Sequence, residues 1–189
     1  MPASVFPASR TALLLIDVIN LFDFPGGARF ARVCWPAATR IARLRDRARA
    51  GAVPVIYVND NFGRWRSDFK TLVAACSEPD RAGSAIAELL KPAPKDFFVL
   101  KPHLSGFHET PLHMLLQSGG VETVVLTGFA ADACILFTAA DAHMNDYRVV
   151  VPSDCTATEQ RRERTHVLAK MRKFLDAHTA PSAHVRLRT

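Results

Sequence analysis

VETVVLTGFAADACILFTAADAHMND, residues 121–146, decides the fold. Its first part is a run of apolar, mostly β-branched residues, Val124-Val125-Leu126-Thr127, closed by Gly128, which is the pattern of a buried strand entering a sharp turn. Its second part is alanine-rich, with Ile135, Ala139 and Ala142 at helical spacing. A strand that turns at once into a helix places Cys134 in the first helical turn, among unpaired N–H groups at the positive end of the helix dipole. Such a position is expected to lower the thiol pKa and supply thiolate near neutral pH. Taken alone, the stretch leaves two readings open: a nucleophile, or a small buried hydrophobe.

Working outward, the same alternation repeats. Residues 11–18, TALLLIDV, form an apolar run that ends at Asp17, the pattern of a central strand covered on both faces with a carboxylate at its carboxyl end. A Pro25-Gly26-Gly27 turn leads to a helix over residues 30–50, with Ala37, Ile41, Leu44 and Ala48 on its apolar stripe and Gly51 as its stop. Residues 53–58 read as a second strand, followed by a polar loop carrying Phe62 and Trp65. Residues 72–90 hold only a weak, interrupted helical pattern. Residues 97–100 form a third strand that delivers Lys101, and Pro111 opens a helix ending near Gly119-Gly120. Residues 147–151 make a fifth strand, residues 158–177 an amphipathic helix, and residues 183–187 a short sixth strand. Strands alternating with helices predict a mainly parallel sheet with helices on both faces. Ligands bind beyond the carboxyl ends of such strands. Asp17, Lys101 and Cys134 all belong to that edge.

Bulk properties narrow the function. A chain of 189 residues, 49% hydrophobic and 22% charged, suits one well-buried domain. The formal charge of +6 is spread over helical faces without aromatic interleaving, which argues against nucleic acid as a partner. The four cysteines (Cys34, Cys76, Cys134 and Cys155) form no CxxC pair, and residues 1–10 lack the order of an export signal. A cytoplasmic protein with reduced thiols is expected, with no membrane-spanning segment and no membrane partner.

Ionisable groups abutting apolar strands are costly unless paired. Pairing Asp17 with Lys101 removes that cost, and a thiol beside the ammonium completes a set able to attack a carbonyl. In this reading Asp17 takes the thiol proton and returns it to the leaving group, and Lys101 stabilises the thiolate.

Three segments carry a resemblance: the DVIN at Asp17, the stretch from Lys101 through Ser105 and Phe107 to Thr110, and GFAADAC from Gly128 to Cys134. They resemble, in order and spacing, the signatures of the isochorismatase-like cysteine hydrolases. The resemblance implies a Rossmann-like, three-layer α/β/α fold with a six-stranded, mainly parallel sheet. It implies Asp17, Lys101 and Cys134 as the catalytic triad, an oxyanion hole from the backbone N–H groups of Ala130 and Cys134, and a cis peptide between Phe129 and Ala130. A homo-oligomer, dimer or tetramer, is also implied. Departures refine this. Ile19 and Leu21 replace a Gln and an Asp frequent at the first signature, and Ala131 stands where threonine is common. Nicotinamidases of the family hold a metal through an Asp and paired histidines, whereas this chain has Asn59-Asp60-Asn61, so neither metal nor cofactor is expected. Members acting on isochorismate, a vinyl ether, lack the cysteine. Cys134 therefore points to C–N cleavage in a small amide or ureido substrate. A vinyl ether or ester hydrolase and a non-catalytic binding module remain as alternatives. Phe22, Phe62, Trp65 and Phe107 are candidate substrate-pocket walls, His103 and His108 flank the Lys101 loop, and Asp154 follows a strand as a possible support.

Overall fold

The computed structural model describes residues 6–62 and 68–189. Its centre is β1 (Thr11–Ile16), in which all six residues are buried. It pairs in parallel with β2 (Val55–Asp60) on one side and β4 (Thr123–Phe129) on the other, Leu14 standing opposite both Ile56 and Leu126. β3 (Phe97–Lys101) pairs with β2, and β5 (Arg148–Val150) with β4, giving the order β3-β2-β1-β4-β5.

Because successive side chains of a strand face opposite ways, β1 divides its residues between two cores. Leu13 and Leu15 join the core packed by α1 (Gly27–Ala50), whereas Ala12, Leu14 and Ile16 join the core beneath α4 (Leu112–Ser118), α5 (Leu136–Met144) and α6 (Arg161–Leu175). Each fully buried leucine or isoleucine contributes about 1.5–3 kcal/mol relative to exposure. That two-sided burial is why the strand reads as an unbroken apolar run. The interrupted region 72–90 resolves into two short helices, α2 (Phe69–Cys76), capped by the Asp68 carboxylate accepting the Thr71 N–H at 2.7 Å, and α3 (Ser84–Leu89).

The sixth strand is not at residues 183–187. It is β6 (Thr156–Ala157), which pairs with the last residues of β4 through Gly128 and Phe129. Residues 182–184 form a single 3-10 turn instead, whose Ser182 is held by both oxygens of Asp154 at 2.7 and 2.8 Å. Asp154 thus anchors the C-terminal tail and is not a support of the strand-end cluster. Among the described residues no helix is long and apolar enough to cross a membrane.

The order of strands makes β1 and β4 the place where connections diverge to opposite sides of the sheet. At such a switch point the loops leave a crevice at the carboxyl edge.

Candidate active site

Four adjacent strands deliver groups to that edge. Asp17 follows β1 directly, with φ of 52°, and is 6% exposed. Its N–H continues the sheet to the Val58 carbonyl at 3.0 Å. Its Oδ1 accepts the Asp60 N–H at 2.8 Å, and its Oδ2 lies 3.0 Å from Lys101 Nζ. Lys101, the last residue of β3, is wholly buried. Its ammonium donates to the His103 carbonyl at 3.1 Å and to Cys134 Sγ at 3.5 Å, with Asp60 Oδ2 at 3.6 Å. Cys134 also contacts the Asp17 carboxylate. One ammonium therefore touches a carboxylate that itself reaches the thiol, the arrangement required for a proton to pass from sulfur to oxygen beside a fixed positive charge.

The turn that presents Cys134 begins with a constrained backbone. Gly128 has φ of 125°, and a Cβ there would lie 1.9 Å from the Ile16 carbonyl oxygen, so only glycine lets β4 end this close to β1. The Phe129–Ala130 peptide is cis. Residues Ala131–Ile135 then form a π-helical turn, closed by the Ile135 N–H donating to the Ala130 carbonyl at 3.3 Å, before α5 begins. Thr138, one turn beyond the cysteine, ties this turn to the Lys101 loop. Its hydroxyl donates to the Cys134 carbonyl at 2.6 Å and accepts the Gly106 N–H at 3.0 Å. Gly106 has no room for more, since a Cβ would sit 2.8 Å from Val58 Cγ1. In the same loop the Thr110 hydroxyl accepts the Leu112 N–H at 3.2 Å at the start of α4, and Ser105 accepts the Phe107 N–H at 3.1 Å.

The electrostatics correct one expectation. The Cys134 thiol is not lowered: burial and the neighbouring Asp17 carboxylate push it up to about 12, outweighing the favourable Lys101 charge. Burial also raises Asp17, against the pull of Lys101. Burial works to lower Lys101, but Asp17, the sulfur and Asp60 outweigh it and raise its pKa. The resting thiol is thus neutral beside the Lys101–Asp17 pair, and the raised carboxylate is a stronger base than an ordinary aspartate.

The structure brings together Asp17, Lys101 and Cys134, and adds Asp60 and Thr138, which sequence reading passed over. Asp60 was hidden because the strand was expected to stop at residue 58, whereas β2 continues to Asp60. Other candidates fall elsewhere. Phe22, 3% exposed, packs in the α1-side core with its ring 5.9 Å from Phe30 and 6.2 Å from Phe129. Phe107 packs on Tyr147 at 5.8 Å. Phe22 is thus enclosed by core side chains, whereas Phe107 stays half-buried in the loop that follows Lys101. Phe62 is exposed and follows the cluster directly, its N–H held by Asp60 Oδ1 at 2.6 Å. His103 and His108 are exposed and meet edge to face at 4.9 Å. Trp65 lies outside the described residues. Among the described residues no group of three or more His, Cys, Asp or Glu side chains is arranged to hold a metal ion.

Comparison with known proteins bears on the family and the fold. Residues 11–182 match the isochorismatase domain model. The isochorismatase family protein YaaI of Bacillus subtilis is 36% identical, the match covering 88% of this chain and 91% of that protein. The ureidoacrylate amidohydrolase of Methylobacterium radiotolerans is 32% identical over 82% of this chain and 69% of its own length. Among solved structures, the N-carbamoylsarcosine amidase of Thermoplasma acidophilum superposes with a TM-score of 0.73 and 26% identity, covering 94% of this chain and 99% of that one. The six-stranded, mostly parallel sheet with helices on both sides is the architecture of these hydrolases. The chain belongs to the isochorismatase family, whose members are hydrolases.

Proposed function

We propose that this protein is a cysteine-dependent hydrolase that cleaves a C–N bond of a small amide or ureido compound. The observation that carries the reading is the Lys101 ammonium, 3.0 Å from Asp17 and 3.5 Å from Cys134. With a substrate carbonyl over the sulfur, Asp17 takes the thiol proton and the sulfur adds to the carbonyl carbon. The new thiolate charge forms beside Lys101. The oxyanion is held by the N–H groups of Ala130 and Cys134, each contributing about 3 kcal/mol to the transition state. Asp17 returns its proton to the nitrogen as the C–N bond breaks, leaving an acyl-enzyme on Cys134. Water deprotonated by Asp17 then releases the acid and restores the thiol. Two of the similar proteins are named for a ureido or carbamoyl compound, which favours that substrate class.

The test is ammonia release from a panel containing nicotinamide, N-carbamoyl amino acids, ureidoacrylate and maleamate. At least one substrate is expected to be turned over by the wild type and not by Cys134→Ala. Full turnover by Cys134→Ala would refute the covalent route and leave a hydrolase that uses Asp17 and Lys101 alone.

A further inference from the structure

Lys101 has more negative charge around it than this chemistry uses. Asp60 stands opposite Lys101 in the parallel register of β2 and β3, so the two side chains leave the same face of the sheet. Asp60 grips both members of the ion pair: its N–H donates to Asp17 Oδ1 at 2.8 Å and its Oδ2 lies 3.6 Å from the ammonium. Its other oxygen accepts the Phe62 N–H, which fixes the carboxylate in place. Among the described residues, the groups facing the ammonium are Asp17 from the end of β1, Asp60 from β2, the His103 carbonyl from the following loop and the Cys134 sulfur.

We propose that Asp60 is a positioning residue that acts through Lys101, sharing its charge so that Cys134 rests as a thiol and ionises only by handing its proton to Asp17. This rests on the triad reading above. With two carboxylates and one ammonium the cluster already carries a surplus negative charge. Losing the thiol proton to solvent would add a second, whereas transfer to Asp17 leaves the total unchanged. Asp60 therefore opposes the first process and not the second. A stray electrophile or oxidant meets a thiol, and a bound carbonyl meets a thiolate.

Asp60→Asn removes the charge while keeping the N–H to Asp17 and an oxygen for Phe62. The rates at which iodoacetamide labels each of the four cysteines would be followed by mass spectrometry across a range of pH. At pH 8 Cys134 is expected to label about 3- to 10-fold faster in Asp60→Asn, a shift of about half to one pH unit. The buried Cys34, Cys76 and Cys155 serve as internal controls and should be unchanged. Equal or slower labelling of Cys134 overturns the proposal, and so does acceleration at all four cysteines, which would mean a loosened fold. Turnover by Cys134→Ala reports on the triad separately, so the two ideas fail by different observations.

Discussion

Replacing Lys101 by methionine tests the cluster through stability, independently of any substrate. The ammonium is fully buried and Asp17 is 6% exposed, so neither charge has water to fall back on. At 3.0 Å and an effective dielectric of ~20 the attraction is about 5–6 kcal/mol before desolvation is subtracted. Breaking a buried pair by removing one partner costs about 3–5 kcal/mol, because the remaining charge is stranded. Lys101→Met strands Asp17 with the Asp60 N–H and the neutral Cys134 thiol as partners and no positive charge, and leaves two carboxylates facing each other. Asp17→Asn is milder, at about 1–2 kcal/mol, since Lys101 keeps Asp60 and the His103 carbonyl as partners. The pH dependence has a definite sign. Asp17 is already raised above an ordinary carboxylate, and losing Lys101 raises it further. A folded pKa above the unfolded one contributes stability that is complete below the unfolded value and is lost as pH rises through the folded value. The deficit of Lys101→Met relative to wild type is therefore expected to shrink from pH 8 towards pH 5. Urea unfolding at both pH values, with the Asp17→Asn/Lys101→Met double variant, measures all of this. An Asp17→Asn protein as unstable as Lys101→Met, or a deficit that grows on acidification, would refute the reasoning.

Gly128→Ala is expected to lose more than about 3 kcal/mol, since the added Cβ meets the Ile16 carbonyl oxygen at 1.9 Å in a backbone conformation closed to alanine. A melting temperature close to that of the wild type would contradict it. Thr138→Val removes a donor to the Cys134 carbonyl and an acceptor for Gly106; a loss of about 1–3 kcal/mol is expected, with a fall in kcat larger than any rise in KM. Unchanged kcat would show that the tie does not position the cysteine.

The strands that could be read from sequence were those buried on both faces, because β1, β2 and β4 carry no charged residue before their carboxyl ends. β6 could not be read: it is two residues long and exists only through pairing with Gly128 and Phe129. The tail at residues 183–187 has an alternating pattern, but Arg47 claims the Ser182 and Val185 carbonyls at 2.9 Å, and no strand forms. At the site, Asp17, Lys101 and Cys134 stood out because each interrupts or follows an apolar run. Asp60 did not, since a carboxylate among asparagines looks like a loop, and its role depends on which residue of β3 faces it. The thiol pKa was misjudged for a related reason. A helix start is visible in sequence, but the carboxylate packed against the sulfur comes from a residue more than a hundred positions away. An aromatic in a loop, such as Phe22, is ambiguous in sequence until its neighbours, here Phe30 and Phe129, are known.

The order β3-β2-β1-β4 has a consequence for how this molecule is made. Lys101, Asp60, Asp17 and Cys134 come from four neighbouring strands in that sequence, and no two consecutive ones along the chain suffice. A nascent polypeptide carries none of this chemistry until the segment after β4 has docked, so turnover, once measured, counts only molecules whose central sheet is complete.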